Sequence, residues 1–158
     1  MKINDRITIK GQVEVKVFGP DGKLKQHEIG PNGITNDGLE KIVDGLVSGG
    51  MTAHNKMGIG WGVGANTAFA VGQTDLQGAT KNKTPTSIST TKIDGKNWKI
   101  TALWDVNNPS PSATVGIEEI GTFWGTAISG EMFSRTVRAI INKAPIDSLE
   151  ITYTFTIA

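Results

Sequence analysis

The sequence predicts an all-β domain, a jelly-roll-like β-sandwich with one short helix, and three observations carry that expectation. The last residues, Leu149-Glu-Ile-Thr-Tyr-Thr-Phe-Thr-Ile157, alternate apolar and polar without a break. Side chains on a pleated strand point to opposite faces in turn, so Leu149, Ile151, Tyr153, Phe155 and Ile157 share one side and Glu150 and the threonines the other. The 20 glycines, with scattered Asn, Asp, Pro and Ser, divide the chain into short elements joined by turns. Finally, residues 36–48 alone carry a helical period, and the absence of strand–helix–strand alternation excludes a doubly wound parallel sheet.

Taken in order, Val13, Val15 and Val17 alternate with Glu14 and Lys16, and Gly19-Pro-Asp-Gly22 supplies the turn of a hairpin whose second strand starts at Lys23. Gly30-Pro-Asn-Gly33 is expected to end that strand. Leu39, Ile42, Val43, Leu46 and Val47 then recur at helical spacing. Asn36 is expected to cap this helix, Asp37 and Glu40 suit its positive end, and Gly49-Gly50 stops it. Gly58-Ile-Gly-Trp-Gly-Val-Gly64 reads as a short strand entering a loop, and residues 65–83 lack a sustained period, as an extended surface loop does.

Asp94-Gly95 is a two-residue hairpin signal between strands at 87–93 and 96–104, and Trp98, Ile100, Ala102 and Trp104 share a face of the second. After the proline-broken segment Asn107-Asn-Pro-Ser-Pro-Ser112, strands are expected at 114–123 and 131–141. In the latter Phe133, Val137, Ala139 and Ile141 fall on one face with Arg135 among them. The short connection at 142–147 predicts antiparallel pairing of the last two strands. Residues 1–10 read as an N-terminal arm and 11–158 as a single domain.

Charge and composition exclude several classes of function. Sixteen basic residues balance fifteen acidic ones and no like-charge block occurs, so neither a nucleic-acid nor an anionic-membrane partner is expected. The lack of cysteine excludes thiolate zinc sites, thiol catalysis and disulfides. Met1-Lys-Ile-Asn-Asp-Arg-Ile7 lacks the apolar segment of a secretion signal, and no stretch reaches membrane-spanning length, so a soluble, non-exported protein is expected.

Chemistry-bearing patterns are few. Gly60-Trp-Gly-Val-Gly-Ala65 fits a dinucleotide fingerprint in spelling, but no helix follows it, and tight packing at a strand end explains its glycines better. His27 and His54 are the only histidines and read as surface residues, which leaves little material for a metal site or a triad. Glu118 and Glu119 are adjacent in a strand and so point apart, unlike an acid/base pair. Asp75 and Arg135 each sit beside apolar residues and read first as a salt bridge or loop tether. Trp61, Trp98, Trp104 and Trp124 read as core or interface residues rather than as a sugar-stacking platform. The expectation is a non-enzymatic protein with no cofactor and no metal.

An ordered set of motifs carries a resemblance. It runs from Gly33-Ile-Thr-Asn-Asp-Gly-Leu39 through Met57-Gly-Ile-Gly-Trp-Gly62, Thr74-Asp-Leu76 and Ile117-Glu-Glu-Ile-Gly-Thr-Phe123 to Gly130-Glu-Met-Phe-Ser-Arg135 and the terminal strand. In this the chain resembles small virion structural proteins of tailed bacteriophages, on heads and on tails. The resemblance implies a capsid decoration protein, made in the host cytoplasm and carried on the capsid surface. Its partner would be the major capsid protein, and it would be a homo-oligomer, with a trimer favoured. The alternative it implies is a tail, baseplate or fibre component that binds host-surface glycan. The N-terminal arm and the 65–83 loop are poorly patterned yet carry apolar groups, so Ile3, Ile7, Phe69 and Val71 are the candidate interface residues, with Asp75 and Arg135.

Overall fold

The computed structural model of the chain describes residues 8–48, 57–64, 67–109, 112–125 and 130–158. Within them lie β1 (Ile9–Phe18), β2 (Leu24–Ile34), α1 (Asn36–Ser48), β3 (Met57–Val63), β4 (Thr80–Asn82), β5 (Ser87–Lys92), β6 (Asn97–Trp104), β7 (Val115–Trp124), β8 (Glu131–Lys143) and β9 (Ser148–Ile157). The strands form one antiparallel sheet in the order β4-β3-β7-β8-β2-β1-β9-β6-β5. The all-β class is as the alternation requires.

The sheet curls so that its two halves face each other. β2 is the turning point: it pairs with β1 up to Asn32, then with β8 through Gly33 and Ile34. Between the halves, the Phe133 ring meets that of Phe155 edge-on at 5.2 Å, Trp61 lies 6.4 Å from Trp104, and the Tyr153 hydroxyl donates to the Ile120 carbonyl at 3.1 Å. The two layers of the expected sandwich are thus continuous through a shared strand. Burying Leu149, Ile151, Tyr153 and Phe155 of β9 favours folding by about 1.5–3 kcal/mol for each large apolar side chain.

Several local expectations are corrected. The closing strand does not pair with residues 131–141: β9 lies between β1 and β6, with both edges occupied, while β8 lies between β7 and β2. The 144–147 turn crosses from one layer to the other instead of closing a hairpin. β2 does not end at Gly30-Pro31, because the strand continues to Ile34 as it changes partners. β1 begins at Ile9, so Ile9 and Lys10 belong to the sheet, opposite Ile157 and Thr156, and not to an arm. Ile3 and Ile7 lie outside the described residues.

The helix is capped by Thr35 rather than Asn36. The Thr35 hydroxyl accepts from the Gly38 N–H at 3.1 Å and donates to the Met132 carbonyl, so one side chain starts the helix and ties it to β8. Gly38 lies against the Phe133 backbone too closely for a Cβ. The face expected along β8 is also broken. Its register against β7 shifts between Thr122 and Phe123 and again between Ile117 and Glu119. A shift of one residue exchanges the faces. Phe133 and Ile141 therefore sit in the core, Arg135 faces away from it, and Val137 and Ala139 are exposed.

Candidate functional site

The loop that joins β3 to β4 lies across the outer face of β7 and β8, and a buried ion pair holds it there. Glu119 of β7 receives the Arg135 Nε–H of β8 at 2.6 Å, and both side chains are fully buried. The rest of the guanidinium reaches the loop: Nη1 donates to the Gln73 side-chain Oε1 at 2.8 Å and to the Ala68 carbonyl at 3.3 Å, and Nη2 to the Thr67 carbonyl at 3.0 Å. On the other side, the Glu119 carboxylate accepts the N–H groups of Gln77, at 3.0 Å, and Gly78, at 2.5 Å. Each charge thus finds loop groups to replace the water it lost on burial.

Glycine makes room for this arrangement. A Cβ at Gly62 would strike the Glu119 carboxylate, and one at Gly78 would come within 2.6 Å of the Val63 carbonyl. The crowded glycine strand expected from the sequence therefore serves to seat a carboxylate. Apolar anchors assist: Leu76 packs with Phe123 and Met132 in a small cluster of its own, and the Phe69 ring covers Gly33. Val71 projects outward, 53% exposed, while its carbonyl accepts the Asn36 N–H at 2.8 Å and so links the loop to the start of α1.

Beside the loop is an open cleft of about 570 Å³, lined by Asp75, Lys81, Asn82, Lys83, Thr84, Asn108 and Pro109. Partial burial opposes the Asp75 charge, but hydrogen bonds from Lys83, Lys81 and the Leu76 N–H outweigh it and hold the carboxyl below its usual range. The Lys83 ammonium also lies 4.2 Å from the centre of the Phe123 ring. Asn82 is fixed from beneath, its Oδ1 accepting from Trp104 Nε1 at 3.0 Å and its Nδ2 donating to Asn108 Oδ1 at 3.1 Å. Two amides, one hydroxyl and the Asp75 carboxylate, which Lys81 and Lys83 share, make a polar wall.

The other singled-out residues are dispersed. Trp61 and Trp104 are fully buried, Trp98 stacks on Phe155 at 5.0 Å, and Trp124 lies 5.7 Å from Phe133, so these four form no exposed aromatic platform. His27 is exposed and hydrogen-bonds Glu14 at 2.8 Å, and His54 lies outside the described residues. The Gly60–Gly64 pattern lies in and just after β3, which is antiparallel to both β4 and β7, so the turn that cradles a dinucleotide is not formed there. Among the described residues no three His, Asp or Glu side chains converge as metal ligands do, and no helix is long and apolar enough to cross a membrane.

Phe69, Asp75 and Arg135 therefore meet in one loop assembly, with Val71 at its surface. Sequence reasoning missed Glu119, the buried partner of Arg135 that also holds the Gln77 and Gly78 amides. The signal was present in Gly62 and Gly78, which leave space around the Glu119 carboxylate.

The fold and this loop define an all-β domain that carries one fixed surface loop. Comparison with protein-family models, curated proteins and solved structures finds no match.

Proposed function

We propose that this chain is a bacteriophage virion structural protein, and specifically a capsid decoration protein that seats on the major capsid protein lattice through its β3–β4 loop. The observation that supports this reading is the buried Glu119–Arg135 pair, which fixes a surface loop bearing the exposed Val71 side chain. A loop fixed before binding loses little conformational entropy on docking, so its contacts contribute more fully to affinity. Many weak contacts repeated over a lattice then add up to firm attachment. On this reading the chain performs no chemistry, and Arg135 acts from beneath the loop without touching the partner.

Cryo-electron microscopy of particles carrying the protein tests the reading. Density on the head between capsomers, with residues 67–79 toward the shell, is the expected result. Density confined to the tail would overturn it. The open cleft beside Asp75 favours a second reading, a tail or fibre component that holds host-surface glycan. Glycan-array binding that is lost in Asn108→Ala would select it, and an array without signal would remove it.

A further inference from the structure

Two exposed apolar patches on this molecule carry opposite charge. The first is on α1. Ile42 packs against the core, whereas Leu39, Val43 and Val47, spaced i, i+4 and i+8, are 47%, 56% and 83% exposed. Asp37, Glu40 and Asp44 accompany them on the helix against one basic residue, Lys41. That ammonium is already shared by Glu131 at 2.9 Å and Asp44 at 3.6 Å. Isolated surface hydrophobes are ordinary, but three in line along one helix face, with an acidic border, form a contact surface.

The second patch is the β5–β6 hairpin. Ile88 and Ile93 are 41% and 53% exposed there, with Lys92 on the same face as Ile88 and Lys96 in the turn, while Lys99 lies on the opposite face. Asp94, the single acid of this stretch, is folded into the turn, where it accepts the N–H groups of Lys96 at 2.7 Å and Asn97 at 2.8 Å. The hairpin therefore presents lysines outward. β5 is the last strand of the sheet, hydrogen-bonded on one side only, to β6.

We infer that copies of this chain associate head to tail, the acidic apolar stripe of α1 on one copy seated against the lysine-rich β5–β6 hairpin of the next. Like-with-like contacts are disfavoured, since helix against helix opposes carboxylates and hairpin against hairpin opposes ammonium groups. Helix against hairpin matches both charge and apolar surface. The helix rests on β8 in one layer and the hairpin belongs to the other, so one molecule can present both surfaces to different neighbours. A contact of this heterologous kind builds a ring when the rotation between copies closes. The inference does not depend on a capsid, because it concerns the isolated chain in solution.

Light scattering and sedimentation across the micromolar range test it. The unaltered chain is expected above single-chain mass, and its association to weaken as salt rises. Two double variants, Glu40→Lys with Asp44→Lys and Lys92→Glu with Lys96→Glu, are each expected at single-chain mass with unchanged melting temperatures. An equimolar mixture of the two should recover the assembled mass, since each then offers the charge the other has lost. A chain that stays at single-chain mass throughout, variants that assemble as before, or a mixture that remains at single-chain mass would overturn the inference.

Discussion

β9 runs in unbroken register against both β1 and β6, whereas β8 slips twice against β7 within thirteen residues. The difference separates a regular scaffold from a face that carries a tethered loop. In β9 and its neighbours strict alternation produces a core face and a threonine face, and the outer face adds only light polar links, such as Thr101 to Thr152 at 3.1 Å and Thr156 to Asn97 at 2.6 Å. In β7 and β8 the shifts bring Glu119 and Arg135 onto the outer face, where buried charge requires a cover. The β3–β4 loop is that cover. Regular pairing stabilises, and broken register creates a place to fix a loop.

The largest expected effect breaks the regular half. Tyr153→Asp or Phe155→Asp places a carboxylate in the core and should cost on the order of 4 kcal/mol or more, enough to unfold the domain in a far-UV circular dichroism melt. Thr154→Lys, on the opposite face of the same strand, should change stability by less than about 0.5 kcal/mol. Equal effects would remove the distinction between the faces of β9.

Next comes the irregular half. Arg135→Met strands the Glu119 carboxylate and should cost about 3–5 kcal/mol in urea denaturation. Adding Glu119→Leu to that variant should return part of the loss, because an apolar pair is left where a lone charge stood. A double variant less stable than Arg135→Met would contradict a penalty that arises from unpaired charge. Thr35→Ala should cost about 1–2 kcal/mol through loss of the α1 cap, read in the same titration.

The smallest effect depends on pH. The Asp75 carboxyl is held below its usual range, so the folded state binds its proton less readily than the unfolded chain. Its contribution is therefore present above the ordinary carboxyl value of about 4 and fades as pH falls through the lowered one. The group is 40% exposed, and solvent screening keeps the effect below about 1 kcal/mol. Asp75→Asn should flatten this acid limb of the stability curve and leave the neutral region nearly unchanged.

What the sequence disclosed follows the same division. The β1–β2 hairpin, the β5–β6 hairpin and β9 were legible because period-two alternation and turn residues act locally. The partner of β9 was not, since a short turn can close a hairpin or cross between layers, and long-range packing decides which. The faces of β8 were hidden by register shifts, which leave no residue signature within Phe133-Ser-Arg-Thr136. Arg135 was visible as a charge in an apolar strand, and the tethering role read for it matches the geometry. Glu119 was obscured because adjacent glutamates look equivalent until a bulge buries one of them. The spacing of Leu39, Ile42 and Val43 disclosed α1 but not which of its sides is covered, because hydrophobic spacing is the same whether a stripe meets the core or solvent.

Hydrogen exchange at Gln77 and Gly78, compared with β9, tests the central claim that a buried ion pair fixes the surface loop. These two amides lie in a loop yet donate to Glu119, so in the unaltered chain they should exchange nearly as slowly as those of β9. Under conditions where Arg135→Met remains folded, they should lose protection by at least about tenfold beyond any change in β9, a difference of roughly 1.4 kcal/mol in local opening. Rapid exchange of both amides in the unaltered chain, or an equal loss across the loop and β9 in the variant, would contradict the claim.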